Sequence, residues 1–427
     1  MPLGDDFLKD KTVMIIDWGN YIEVAMRLAR DFGRVYYYCD WQSAYPKYDP
    51  YVVGDGIDSI YPNFHHVHSI WDHYKEVDLF YFPDLYNGDF QEWLRDQGKL
   101  VFGTGRGEDL ELHRHATKEL LSDLGLPVNE TFEIEGLDNL RDFLKMHDNM
   151  WVKTDIFRGG FESFLHVRYE LTKPRLDRFE HTLGIYKDRQ KFTVEEPIDD
   201  SIDFAADMIV SDGKYPAKTL AGVEQKNRSY IGVITDYYNL PKGIRKINDR
   251  LAETLRIYQY RCALSPECRI NKKGEAFLID PCCRHGHPPT SLQLEMYDNF
   301  SEIAWMAATG EKPEIFSKYK YGAELIIKSE FSQREPQAVY FPESIRDYVK
   351  IKNLCIQDGV WYYIPQEHDM SEIGAVIGMG MSVNDAIKMC SDNAKLIEGD
   401  ALSIDIDSLD LAKKEIKTLP DYGINIF

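Results

Sequence analysis

Residues 265–288, SPECRINKKGEAFLIDPCCRHGHP, space their acids so that they could hold a divalent cation. Apolar residues flank Asn271-Lys272-Lys273-Gly274, which predicts two strands joined by a tight polar turn. With the loop centred between Lys273 and Gly274, Glu267 lies opposite Asp280, and the two-residue period of a strand carries Cys282 and Arg284 on the same face. Facing carboxylates repel by a few tenths of a kcal/mol up to about 1 kcal/mol. A hard dication with oxygen ligands relieves that repulsion, and Mg2+ held by one or two carboxylates normally brings substrate phosphates with it. A solvated hairpin with its charges turned outward fits the same spacing.

Other chemistries are less well served. Cys282, Cys283, His285 and His287 crowd within six residues, too close to surround one tetrahedral ion, and the usual knuckle spacing is absent. The seven cysteines are odd in number and fit no disulfide framework, so reduced thiols are expected. No Ser-His-Asp or Cys-His constellation stands out. A net charge of −21 argues against nucleic acid as a partner, although a few placed cations suffice for one triphosphate. No run approaches 18 uncharged apolar residues, and MPLGDDFLKDKT lacks a basic-then-apolar leader layout, so no membrane span and a cytoplasmic location are expected.

The elements that must position these residues alternate at first between strand and helix. KTVMIIDWGN, VYYYCDW, DLFYFPD and KLVFG read as buried strands with helices IEVAMRLARDFG and 90–97 between them, which predicts a parallel α/β sheet over residues 1–105. An amphipathic helix follows in LELHRHATKELLSDLGLPVN. MWVKTDIFRGGFESFLHV reads as strand, glycine-bearing loop, strand, with Gly159 and Gly160 able to let backbone N–H groups approach phosphate oxygens. FTVEEPIDDSIDFAADMIVSDG gives two strands around an acidic turn. The last hundred residues, 321–427, read as a separate small mixed domain that closes on strand, glycine turn and a helix capped by Ser382.

Taken in order, these segments resemble the ATP-grasp superfamily of ligases, and in layout the phosphoribosylamine-glycine ligases. The family's metal hairpin has an acid, a turn glycine seven residues later and Glu-x-Asn beginning six residues after the glycine. Glu267, Gly274 and Asp280 occupy those places, and Cys282 stands at the Asn. The resemblance implies an N-terminal parallel α/β domain (1–105), an ATP-grasp domain (106–320, with a lid at about 130–193) and a small C-terminal α+β domain (321–427). It implies that Lys118, Lys153, Gly159 and Gly160 contact ATP phosphates, that Glu195 and Glu196 flank the adenine, and that Asp203 meets the ribose. It further implies Mg2+, or Mn2+, on Glu267, Asp280 and Cys282, with Arg284 and Arg228 facing the transferred phosphate or an acidic substrate.

The implied activity joins a small-molecule carboxylate to an amine through an acyl phosphate, with ADP and phosphate released; a homodimer is compatible with it. Three departures favour the alternative of an ATP-binding pseudoenzyme: Cys282 for Asn, Asp280 for Glu and Phe161 for a loop lysine. The family's phosphoribosyl turn is missing, since residues 17–23 read DWGNYIE. Trp18 and Tyr21 there suggest a pocket for a flat or apolar substrate.

Overall fold

The computed structural model describes residues 6–39, 48–155, 163–365 and 371–427. The first unit is built on five parallel strands, β1 (Thr12–Asp17), β2 (Arg34–Cys39), β3 (Phe64–Val67), β4 (Leu79–Tyr81) and β5 (Leu100–Phe102), in the order β3-β2-β1-β4-β5. The sequence of β1 is apolar throughout because both its faces are covered: Val13 and Ile15 enter the main core, and Met14 and Ile16 a second cluster on the other side. Strand order reverses between β1 and β4, so a crevice opens where Asp17 ends β1 and Asp84 follows β4. β3 was not among the expected strands; its Phe-His-His-Val is too short and polar to announce itself.

A second unit carries four antiparallel strands in the order Thr131–Glu135, Lys191–Glu195, Met150–Thr154, Ser163–His166. Helices Leu137–Met146 and Tyr169–Leu183 cover it, and Leu140, Leu144, Val152, Leu176, Phe179 and Phe192 form a core of its own. The expected helix over 110–124 is broken at His113, whose φ −110 and ψ 70 separate Asp109–Leu112 from Arg114–Asp123.

The third unit is a ten-stranded sheet that runs across the boundary expected at 320/321. Tyr321–Ser329 pairs with Ser229–Asp236, and Glu372–Gly380 pairs with Tyr321–Ser329, so the C-terminal segment extends the central sheet and does not stand apart from it. Gly378 and Gly380 lie in strand Glu372–Gly380 and not in a turn. A Cβ on Gly378 would come within 2.1 Å of the Cys390 backbone nitrogen, which is why helix Val383–Ala394 can lie directly on that strand. Ser382 caps this helix as expected, accepting a hydrogen bond from Asp385 N at 3.2 Å.

Candidate active site

The hairpin of Glu267–Asn271 and Ala276–Asp280 forms at the edge of the central sheet. Asn271 builds its turn: Oδ1 accepts from Lys273 N and Glu275 N, and Gly274 takes φ +77, a conformation glycine adopts without steric cost. Glu267 does face Asp280, but for a different reason from the expected one. Cys268 pairs with Leu278 and Ile270 with Ala276, one residue off the expected register, and a bulge between Glu267 and Cys268 restores the acidic pair. The bulge leaves Ile279 without a ladder partner, and its carbonyl accepts from Lys153 Nζ at 2.7 Å. The neighbouring Leu278 carbonyl accepts from Lys118 Nζ at 2.9 Å.

The same irregularity ends the period-two pattern. Strand Ala276–Asp280 stops at Asp280 and Cys282 has φ +41, so Cys282 and Arg284 do not continue one strand face. Cys282 Sγ returns to 3.8 Å from Glu267 Oε1, while Arg284 Nε turns to Glu111 Oε1 at 3.1 Å. Burial and the Asp280 and Glu267 carboxylates hold the Cys282 thiol well above its usual range, so it stays protonated. A protonated thiol is a poor ligand for a hard cation.

Lys118 and Lys153 converge on one carboxylate. Glu195, buried at the end of Lys191–Glu195, lies 3.4 Å from Lys118 Nζ and 3.2 Å from Lys153 Nζ. Burial would raise the Glu195 pKa; Lys153 and Lys118, with a hydrogen bond from Asn129, turn the net shift downward. Burial lowers Lys118 to about 8, and Lys153 adds to the effect. Asp280 is pushed up by burial, but Arg114 and Lys153 outweigh that and hold its carboxyl below the ordinary range. The four-stranded unit, helix Arg114–Asp123 and the acidic hairpin thus share one electrostatic field. The lining of the cleft runs through Leu110, Arg114, Lys118, Glu195, Leu278 and Asp280.

Other expected residues lie elsewhere. Asp203 sits in strand Ser201–Ser211 opposite Arg269, paired at 3.1 Å on an exposed face. Glu196 is exposed, and its backbone is engaged by Glu130 and Asn129. Arg228 is directed at Asp405 at 3.5 Å, whereas Lys226, two residues earlier, reaches Glu267 at 3.4 Å. Arg158, Gly159, Gly160 and Phe161 lie outside the described residues. Tyr21 is a core residue, stacked on His287 with its hydroxyl donating to the His285 carbonyl, and not the wall of an apolar pocket.

Two functional partners were not singled out from the sequence. Glu111, fully buried, binds Cys283 N at 2.6 Å as well as Arg284; it is the Glu of the Leu-Glu pair that opens the 110–129 segment, and that pair was the available signal. Asn129 joins Lys118 (3.2 Å), Glu195 (3.2 Å) and the Glu196 carbonyl (2.8 Å). Among the described residues no three His, Cys, Asp or Glu side chains converge tightly enough to cage a metal ion by themselves. Two facing carboxylates that share an ion with phosphate oxygens fit this arrangement; a protein-only cage or a zinc site does not.

A switch-point sheet, a four-stranded lid and a long antiparallel sheet bearing an acidic hairpin define the ATP-grasp fold, and this chain has it. Phosphoribosylamine-glycine ligase from Thermotoga maritima is similar with a TM-score of 0.69 at 14% identity, over 92% of this chain and 98% of that one. The biotin carboxylase domain of 2-oxoglutarate carboxylase from Hydrogenobacter thermophilus, solved with Mg-ADP and bicarbonate, has a TM-score of 0.67 at 12% identity, over 96% and 95%. An L-amino acid ligase from Bacillus licheniformis has 0.57 at 12%, over 91% and 98%. No family model and no curated protein matches the sequence. Among the described residues no helix is long and apolar enough to cross a membrane.

Proposed function

We propose that this protein is an ATP-dependent carboxylate-amine ligase that releases ADP and phosphate. The observation that carries this reading is the convergence of Lys118 and Lys153 on Glu195 beside Asp280, with the hairpin carbonyls as their second anchors. Triphosphate oxygens would take up the donors that these lysines now share among Glu195 and backbone carbonyls, and the lid strand that carries Lys153 would follow. Glu267 and Asp280 would hold Mg2+, or Mn2+, against the phosphates. When bound, that ion offsets the charge that develops on the phosphoryl oxygens. Gly159 and Gly160 would close over the phosphates, Glu195 and Glu196 would lie at the adenine, and Asp203 would need to leave Arg269 to meet a ribose.

In the reaction a substrate carboxylate oxygen attacks the γ-phosphorus and ADP leaves. The amine nitrogen then forms the C–N bond, the C–O bond to phosphate breaks with its electron pair on the leaving oxygen, and the displaced amine proton ends on phosphate. Arg284, its charge secured by Glu111, supplies a fork suited to the substrate carboxylate. A second reading, an ATP-binding interaction protein, is favoured by the protonated Cys282 thiol at the second metal position.

The two routes of carboxylate activation are separated by isotope. An 18O-labelled carboxylate should deliver one label to inorganic phosphate. Label in AMP would mean adenylation, and no product with ATP bound would favour the interaction protein.

A further inference from the structure

Beyond the proposed nucleotide cleft, four separate regions of the chain bring ionisable groups to one buried cluster. Glu23 comes from helix Ile22–Leu28 of the first unit, Glu324 from Tyr321–Ser329, Glu372 from Glu372–Gly380, and Lys352 from the turn after Val349–Ile351. Glu23 is 3%, Glu324 0%, Glu372 8% and Lys352 7% exposed. Lys352 Nζ binds Glu372 Oε1 at 2.6 Å, and His287 Nε2 stands 3.6 Å from Glu23 Oε1. No hydrogen bond of good geometry reaches either oxygen of Glu23, either oxygen of Glu324, or His287 Nε2.

Glu372 thus has the Lys352 ammonium, whereas Glu23 and Glu324 have no bonded counter-charge. His287 does not add a charge, since burial, Lys352 and Arg284 hold it well below its usual range. Burial raises Glu23 to about 8 against the pull of Lys352. Glu324 rises to about 8 through burial and its Glu372 and Glu23 neighbours, with Ser291 and Lys352 opposing. Held protonated, such acids still leave buried oxygens without hydrogen-bond partners at a cost of about 1–3 kcal/mol each, and ionised they cost more, so an arrangement of this kind points to a ligand that completes it.

The cluster is linked electrostatically to both sides of the proposed nucleotide cleft. Glu372 interacts with Glu224, Glu224 with Lys226, and Lys226 with Glu267 of the metal hairpin. In the other direction Glu23 interacts with Asp17, Asp17 with Asp84, and Asp84 with Arg284. Among the described residues these acids do not converge as a metal cage does, which favours an organic cation over a metal ion as the missing positive charge.

We propose that Glu23, Glu324, Glu372 and Lys352 form the amine subsite of the ligase, and that it takes a primary alkylamine in its ammonium form. This rests on the ligase reading above. The ammonium enters as the missing counter-charge. It passes one proton to the Glu324 or Glu23 carboxylate, which frees the nitrogen lone pair for the acyl carbon. The second N–H proton leaves with phosphate.

The test uses n-butylamine and 1,4-diaminobutane as probes, with n-butanol and KCl at matched ionic strength as controls. Both amines should raise the melting temperature of the full-length protein, and the controls should not. Above pH 8, where Glu324 ionises, Glu324→Gln should be at least as stable as the parent without ligand, because it removes a buried unpaired charge, and it should lose the amine-dependent rise while still binding Mg-ATP. In turnover, Glu324→Gln or Glu23→Gln should raise the amine KM at least tenfold with the ATP KM unchanged. Equal shifts with n-butanol or KCl, no shift with either amine, or a Glu324→Gln protein that is destabilised and keeps the amine response would each overturn the proposal. Amine binding without ADP release would instead count against the ligase reading alone.

Discussion

Two buried ionic regions of this molecule are organised in opposite ways. At the proposed nucleotide cleft, one carboxylate, Glu195, is shared by two lysines, and each lysine has a backbone carbonyl as well. In the second cluster, Lys352 pairs with Glu372, and Glu23 and Glu324 accept no well-formed hydrogen bond. The first region is compensated within the protein, so it can stay assembled and exchange partners. The second is left deficient in positive charge, so its stability should depend on what it binds. The difference suggests which surface waits for an anion and which for a cation.

The largest effect expected at the compensated cleft comes from Asp280→Asn. It removes the acid that Arg114 and Lys153 hold ionised, and steady-state turnover should fall by at least about 100-fold. Turnover within a few-fold of the parent would break the assignment of the hairpin to the metal.

Arg284→Ala tests whether compensation is what stabilises this side. It strips the guanidinium from fully buried Glu111, and denaturant melts should show a loss of roughly 3–5 kcal/mol. A loss within about 0.5 kcal/mol would mean that Glu111 is satisfied without it.

On the deficient side the contrast can be read from pH. Glu23 and Glu324 titrate near 8 in the folded chain against an ordinary 4.5, so the folded state binds more protons than the unfolded one between those values. Their contribution to stability is therefore full below about 4.5 and is lost as pH rises through about 8. Melting temperatures of the ligand-free protein should fall from pH 6 to pH 8.5, and the fall should shrink in Glu324→Gln. An unchanged slope in that variant would break the contrast.

The smallest expected change is in Cys282→Asn. An amide oxygen replaces a protonated thiol next to Glu267, and the Mg2+ concentration for half-maximal activity should drop a few-fold. A weaker response would mean that the thiol serves this protein's own substrate.

Local signals carried the sequence reading as far as chain order and pairing allowed. Strand β1, the hairpin turn at Asn271 and Gly274, and the Ser382 cap depend on neighbours a few residues away, and each was legible. The bulge at Glu267 was not, because it answers to the lysines that bind the Leu278 and Ile279 carbonyls from 160 and 126 residues away. Arg228 and Lys226 were equivalent in sequence, and only the turn between Lys218–Gln225 and Ser229–Asp236 aims one at Asp405 and the other at Glu267. Glu23 and His287 meet across hundreds of residues, so the buried acidic cluster had no sequence signature at all.

The most direct test of the central claim is calorimetry of Mg-ATP on the parent and on Lys153→Met. The account predicts saturable binding by the parent and none at the same concentrations by a folded Lys153→Met, whose Glu195 then keeps one lysine in place of two. Binding of equal affinity by the folded variant would contradict it.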